Sequence, residues 1–215
     1  MTTGEEELGF LEKLCDPIIP SFGQNPVIPY ALLHRFTDRS VFTLRHEPWH
    51  QFVERYSLPE IIEKKRSAKA IIFGSFQLDT KKVVSESLSA VPVLVCDSDQ
   101  GVSIEELTYR FDGYERFVYS THSHLINGIP RYRVIMPFHR PLAVQEFKNL
   151  KQRLVSFLGE QMDTTSLNLT HLFFSHSFPI DRAEYAYTEF RQGKLLNPFD
   201  LPEKTIRHRK NFNVL

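Results

Sequence analysis

Val91-Pro-Val-Leu-Val-Cys-Asp-Ser-Asp-Gln-Gly101 is the stretch whose reading decides the fold. Val91 to Asp97 is apolar and β-branched, which predicts a buried strand, and Gly101 breaks it. Side chains two apart on a strand share a side, about 6.6 Å apart along the chain. Asp97 and Asp99 are therefore expected to face one pocket, with Ser98 turned away. Two uncompensated carboxylates at a strand end repel each other and are costly to bury. A divalent cation removes that cost, and hard oxygen donors favour Mg²⁺ or Mn²⁺. A pair of such ions, about 4 Å apart, is the usual device for activating a hydroxyl and stabilising a leaving pyrophosphate. The opposing reading is a surface turn whose aspartates cap the next helix, and Asp-x-Asp alone does not separate the two.

Outward from this strand, Lys69 to Phe76, Phe117 to Thr121, Tyr132 to Pro137, His171 to Ser175 and Tyr185 to Phe190 read as further strands, and Val41 to Leu44 as a short one. The clearest helix is Val144 to Leu158: Phe147, Leu150, Leu154, Val155 and Leu158 fall on one face, and Gly159 stops it. Pro48 to Tyr56, Leu58 to Lys65 and Ile104 to Tyr109 are expected as shorter helices. This alternation predicts an α+β (mixed α/β) sheet domain. Residues 1–35 read as a short helix (Glu6 to Leu14) and a connector through Pro17, Pro20, Pro26 and Pro29. Residues 36–202 form the main domain, and residues 203–215 a basic tail.

A 41% hydrophobic fraction with 18 Phe argues for an ordered globule. No apolar run reaches the roughly 20 residues of a membrane helix, and the acidic start MTTGEEELGF lacks the features of a signal peptide. A cytoplasmic protein without a membrane partner is the expectation. Cys15 and Cys96 alone exclude a disulfide framework and a four-cysteine zinc site. Lys plus Arg equals Asp plus Glu at 26 each, so net charge announces no nucleic-acid partner. Local runs at Lys64, Lys65, Arg66 and Lys69, and at Lys204, Arg207, Arg209 and Lys210, can track a phosphate backbone, although short runs are usually solvated faces.

Two more constellations carry chemistry. Tyr119-Ser-Thr-His122-Ser-His124 precedes a loop and then Pro130-Arg131-Tyr-Arg133. If the strand continues, His122 and His124 share a face, as do Arg131 and Arg133, and these groups suit a triphosphate. Asp163, in Met162-Asp-Thr-Thr-Ser166, either supplies a third carboxylate or caps a turn.

Taken in order, AIIFGSF, the strand ending Asp-x-Asp, YSTHSH, PRYRVIMPFHRPL, MDTTS and GKLLNP resemble the archaeo-eukaryotic primase superfamily, above all the primase–polymerase domains of phage and plasmid replication proteins. The resemblance spans about Lys65 to Leu201. It implies a DNA-directed nucleotidyltransferase acting on a single-stranded DNA template and nucleoside triphosphates. Asp97, Asp99 and Asp163 would hold two Mg²⁺ or Mn²⁺ ions. The superfamily's Ser-x-His motif matches Ser120-Thr-His122 by its letters, while His124, Arg131 and Arg133 are equally placed to meet the phosphates. The implied fold is an N-terminal α/β module packed on an RRM-like module, with the catalytic cleft between. Relatives often carry Arg where this chain has His171, which bears on substrate grip or on the packing beneath Asp163. Many are fused to a helicase. No Gly-x-x-x-x-Gly-Lys-Ser/Thr loop occurs here, so a helicase would act in trans or lie outside this chain.

Three other readings compete. His46-Glu-Pro-Trp-His50 matches the zinc-protease pattern, but Pro48 should leave His46 outside the helix that motif requires. His122-Ser-His124, with Tyr185 or Tyr187 as nucleophile, invites comparison with rolling-circle endonucleases. A non-catalytic DNA-binding initiator subunit is the third, and the clustered acids argue against it.

Overall fold

The deciding stretch lies in strand β6 (Leu88–Ser98), next to the centre of a five-stranded antiparallel sheet. The computed structural model describes residues 25–203; the expected helix Glu6 to Leu14 and nearly all of the basic tail lie outside them. The sheet runs in the order β11-β7-β8-β6-β5, with β5 at Ser75–Phe76, β7 at Arg116–Ser120, β8 at Tyr132–Ala143 and β11 at Thr188–Arg191. A second sheet, also antiparallel, has the order β2-β1-β4-β9, from β1 (Val27–Leu33), β2 (Phe42–Pro48), β4 (Ala70–Phe73) and β9 (Phe173–Phe174). β3 (Glu60–Ile61) and β10 (Ser177–Phe178) form a short parallel pair. The helices are α1 (Trp49–Ser57), α2 (Ile104–Arg110) and α3 (Val144–Leu158). The architecture is mixed α+β, as expected.

β6 is apolar on both sides because both sides are covered. Leu94 and Cys96 join the core that includes Leu150, Leu154 and Leu158 of α3, while Val93 and Val95 join another with Trp49, Phe52, Phe73 and Phe173. The site follows from this alternation. Asp97 continues the Val93–Val95 face toward the other sheet, and Ser98, fully buried, continues the Leu94–Cys96 face.

Three expectations are corrected. The Pro-rich connector gives way at Val27 to β1, a central strand; Pro29 fits because the β1–β4 register begins only at Tyr30. The helix expected over Leu58 to Lys65 is absent. Leu58, held extended before Pro59 (ψ 135°), leads into β3, and a single 3₁₀ turn, Lys65–Ser67, follows. Lys69 to Phe76 is two strands, broken at Gly74 and assigned to different sheets.

A Cβ at Gly74 would collide with Leu88 Cδ1 and stand 3.2 Å from the Ala90 carbonyl oxygen. Gly74→Ala is expected to cost about 1–3 kcal/mol of stability by overpacking; urea unfolding at the parent's midpoint would contradict this role for the glycine.

Candidate active site

Three acids meet where β6 ends. Asp97 and Asp163 form an antiparallel bridge, the Asp163 amide donating to the Asp97 carbonyl oxygen at 2.8 Å. α3, stopped at Gly159 (φ 83°), returns the chain so that this bridge can form. Asp99 lies two residues on, exposed. Its carboxyl is raised above the usual range by burial and then by the negative Asp97, against the pull of Arg131 and Lys65, with Asp163 raising it further. Asp99 thus senses both of the other carboxylates.

Each acid is held differently. Asp97 receives Arg133 Nε on Oδ1 and Nη2 on Oδ2, both at 2.7 Å, from the residue directly opposite on β8. Asp163 caps the 3₁₀ turn Thr164–Leu167, accepting the Thr165 amide at 2.8 Å and its hydroxyl at 2.6 Å. The turn-capping reading and the clustering reading of Asp163 therefore both hold. No hydrogen bond reaches the Asp99 carboxylate among the described residues. A cavity of about 560 Å³ opens beside these acids, lined by Asp99, Gly159, Glu160, Asp163 and Thr164 among others. That is ample for a nucleotide-sized ligand.

The phosphate-gripping candidates separate. Arg133 is 5% exposed and gives its remaining Nη1 to the Tyr119 hydroxyl (3.2 Å) and the Phe174 carbonyl (2.6 Å), which ties the two sheets together. Contrary to expectation, its donors are spent on protein groups. β7 stops at Ser120, so His122 and His124 lie in a loop rather than on a shared strand face. They are 8% and 4% exposed; His122 Nε2 donates to the Ile62 carbonyl at 2.9 Å, and His124 Nδ1 accepts the Arg131 amide at 3.1 Å. Burial lowers both imidazoles, and the charges that they sense are Arg182 and, for His122, Lys65 and Glu63, not the three acids. Arg131 remains beside Asp99.

The motif reading missed Lys65 at the site. Burial lowers its ammonium, Arg133 lowers it further, and Asp99 and Asp97 oppose this. The basic run carried the signal, but nothing in it singled out one lysine. His171 sits beneath the acids, its ring 4.7 Å from that of Phe173; burial lowers it, while Asp97 and Asp163 raise it.

A different histidine contributes to the acid sensitivity of the fold. His176 is 1% exposed, Nδ1 donating to the Tyr56 carbonyl, and burial pushes it from 6.5 down to about 3. Between those values the unfolded chain binds the proton that the folded chain refuses, so stability is full above pH 6.5 and falls as pH drops toward 3. Acidification from pH 7 to 5 is expected to cost about 2 kcal/mol through this group. His176→Phe should flatten that slope in urea titrations; an unchanged slope would refute the attribution.

The zinc-protease reading fails on geometry. His46 lies on β2, Pro48 caps α1 and His50 is inside it. Glu47 is buried and accepts from the Tyr30 hydroxyl (2.9 Å), Arg45 (3.0 Å) and Arg55 (3.1 Å).

No group of three or more His, Cys, Asp or Glu among the described residues stands as a ready-made cation cage. The donor chemistry nevertheless fits a divalent ion: three carboxylates at one strand end, one of them destabilised by the other two. Each carboxylate oxygen of Asp97 and Asp163 keeps a second lone pair beyond the bond that it accepts.

A comparison with curated proteins finds no match. Among solved structures, the AEP domain of the cyanophage S-2L primase–polymerase (PrimPol) is similar, with a TM-score of 0.48 and 16% identity over 93% of this chain and 98% of that one. No helix among the described residues is long and apolar enough to cross a membrane. The family profile described as the VapE N-terminal domain matches residues 73–206, a stretch that contains Asp97, Asp99, Arg131, Arg133 and Asp163. By that match, which covers more than half of its length, the chain belongs to the VapE N-terminal domain family.

Proposed function

We propose that this chain is a primase–polymerase: a template-directed nucleotidyltransferase of phage or plasmid replication. The observation that carries the reading is the Asp97–Asp163 bridge, which draws together acids 66 positions apart in sequence, with Asp99 beside them. The ordered motifs support it, since the family match runs through the same stretch.

Asp97, Asp99 and Asp163 would hold divalent cations, Mg²⁺ or Mn²⁺, which when bound neutralise the triphosphate and activate the attacking hydroxyl. The chain's own side chains do the rest. Arg133 fixes the orientation of the Asp97 carboxylate through both of its oxygens. Lys65 and Arg131, next to Asp99, meet phosphate oxygens. The cavity beside Asp99 and Asp163 receives the nucleotide. His122 and His124 hold the loop that carries Arg131, so they act by positioning it rather than by gripping phosphate.

Incubation with labelled nucleotides, single-stranded template and Mn²⁺ or Mg²⁺, with and without a primer, tests this directly. Metal-dependent extension is expected, and a chelator should abolish it. Template binding without incorporation in either metal would leave a non-catalytic DNA-binding subunit instead. A covalent tyrosyl–DNA adduct would restore the endonuclease reading.

A further inference from the structure

Beside the acids, two phenylalanines lie on the surface under two cations. Phe36 follows β1, and Phe174 is the last residue of β9; their ring centroids are 5.6 Å apart at 52°. Both are half-buried, and Phe36 is fixed from below by the core. Above them stands the 3₁₀ turn Lys65–Ser67: Lys65 Nζ is 5.4 Å from the Phe174 centroid, and Arg66 Cζ is 5.9 Å from that of Phe36. Lys65, Arg66 and neighbouring Arg35 are exposed. The Phe174 carbonyl accepts Arg133, the same guanidinium that clamps Asp97, so the patch adjoins the carboxylates.

The geometry points to a binding platform for single-stranded nucleic acid, in which bases stack on Phe36 and Phe174 while Lys65 and Arg66 take the phosphates. Fixed aromatic faces with long cations above them match a ligand that alternates flat π-surfaces with anions. A duplex hides its base faces, and an acidic peptide would use the cations but not the rings. Lysine and arginine can swing from ring face to phosphate, because cation–π contacts at exposed sites are weak. The inference deepens the nucleotidyl-transfer reading by giving the template a seat, but binding is measured without synthesis.

The test is fluorescence anisotropy of the full chain with labelled oligothymidylate, the same strand made abasic, and the duplex. The wild type should bind the base-bearing strand about tenfold more tightly than the abasic strand. Phe36→Leu and Phe174→Leu should each lose most of that preference, whereas Phe174→Tyr, which keeps the ring, should retain it. The double variant Lys65→Gln/Arg66→Gln should lower the salt slope of binding by about 1.4. Equal binding of abasic and base-bearing strands by the wild type, or leucine variants with undiminished preference, overturns the platform. Loss in Phe174→Tyr equal to that in Phe174→Leu also overturns it, because packing would then be the cause. So does a change of particle mass by light scattering in Phe36→Leu, which would show a second copy covering the patch. The wild type separates the two readings: base-dependent strand binding without incorporation in Mn²⁺ or Mg²⁺ leaves the platform and removes the nucleotidyl-transfer reading. Incorporation with no preference for the base-bearing strand does the reverse.

Discussion

Asp97→Ala is expected to unfold about 3–5 kcal/mol more easily than the parent protein. Asp97 is the bidentate partner of Arg133, a guanidinium only 5% exposed whose other donors reach Tyr119 and Phe174. Removing the carboxylate strands a buried positive charge, and the penalty is that charge's lost solvation more than the bond itself. Asp97→Asn keeps one acceptor and should fall between. The sequence reading of Asp97 as a metal ligand alone implies that alanine leaves the fold intact, so urea titration separates that view from this one. An Asp97→Ala midpoint equal to the parent's would show that Arg133 finds other compensation.

Asp99→Ala should do the reverse: unchanged or slightly higher stability, with nucleotide incorporation lower by at least about 100-fold. Asp99 has no hydrogen bond among the described residues to lose, and Asp97 and Asp163 already disfavour its charge. Its charge is unfavourable for folding, as expected of a carboxylate that serves a cation rather than the fold. Single-turnover incorporation in Mn²⁺ and Mg²⁺, measured beside urea stability, checks both halves. Wild-type-like synthesis by Asp99→Ala would remove Asp99 from the ligand set.

What the sequence made legible follows from periodicity and punctuation. α3 occupies the residues its apolar spacing and Gly159 mark out, and β6 contains the apolar run that precedes Asp97. The two-residue repeat correctly separated Asp97 from Ser98. What stayed hidden depends on partners distant in sequence. Strand β1 reads as a proline-rich connector until β2 and β4 pair with it. Isoleucines 61 and 62 look helical until β10 supplies a strand for Ile61. The histidines of YSTHSH resemble phosphate ligands, yet in the fold they brace a loop through Ile62 and Arg131. Lys65 enters the site only because the turn Lys65–Ser67 places it against β9.

Gly74 also bears on how this molecule can move. Phe73 ends a strand of one sheet and Ser75 begins a strand of the other, so a single residue joins them. Arg133 adds a crossing tie from β8 to β9. Hinge closure needs a connector that can absorb a large change in φ and ψ, and the Gly74 amide is tied to the Pro29 carbonyl of β1 at 3.0 Å, which opposes rotation there. The two sheets are therefore expected to move as one body, leaving long exposed side chains beside the acids, Lys65 and Arg66, as the parts free to adjust while the backbone stays still.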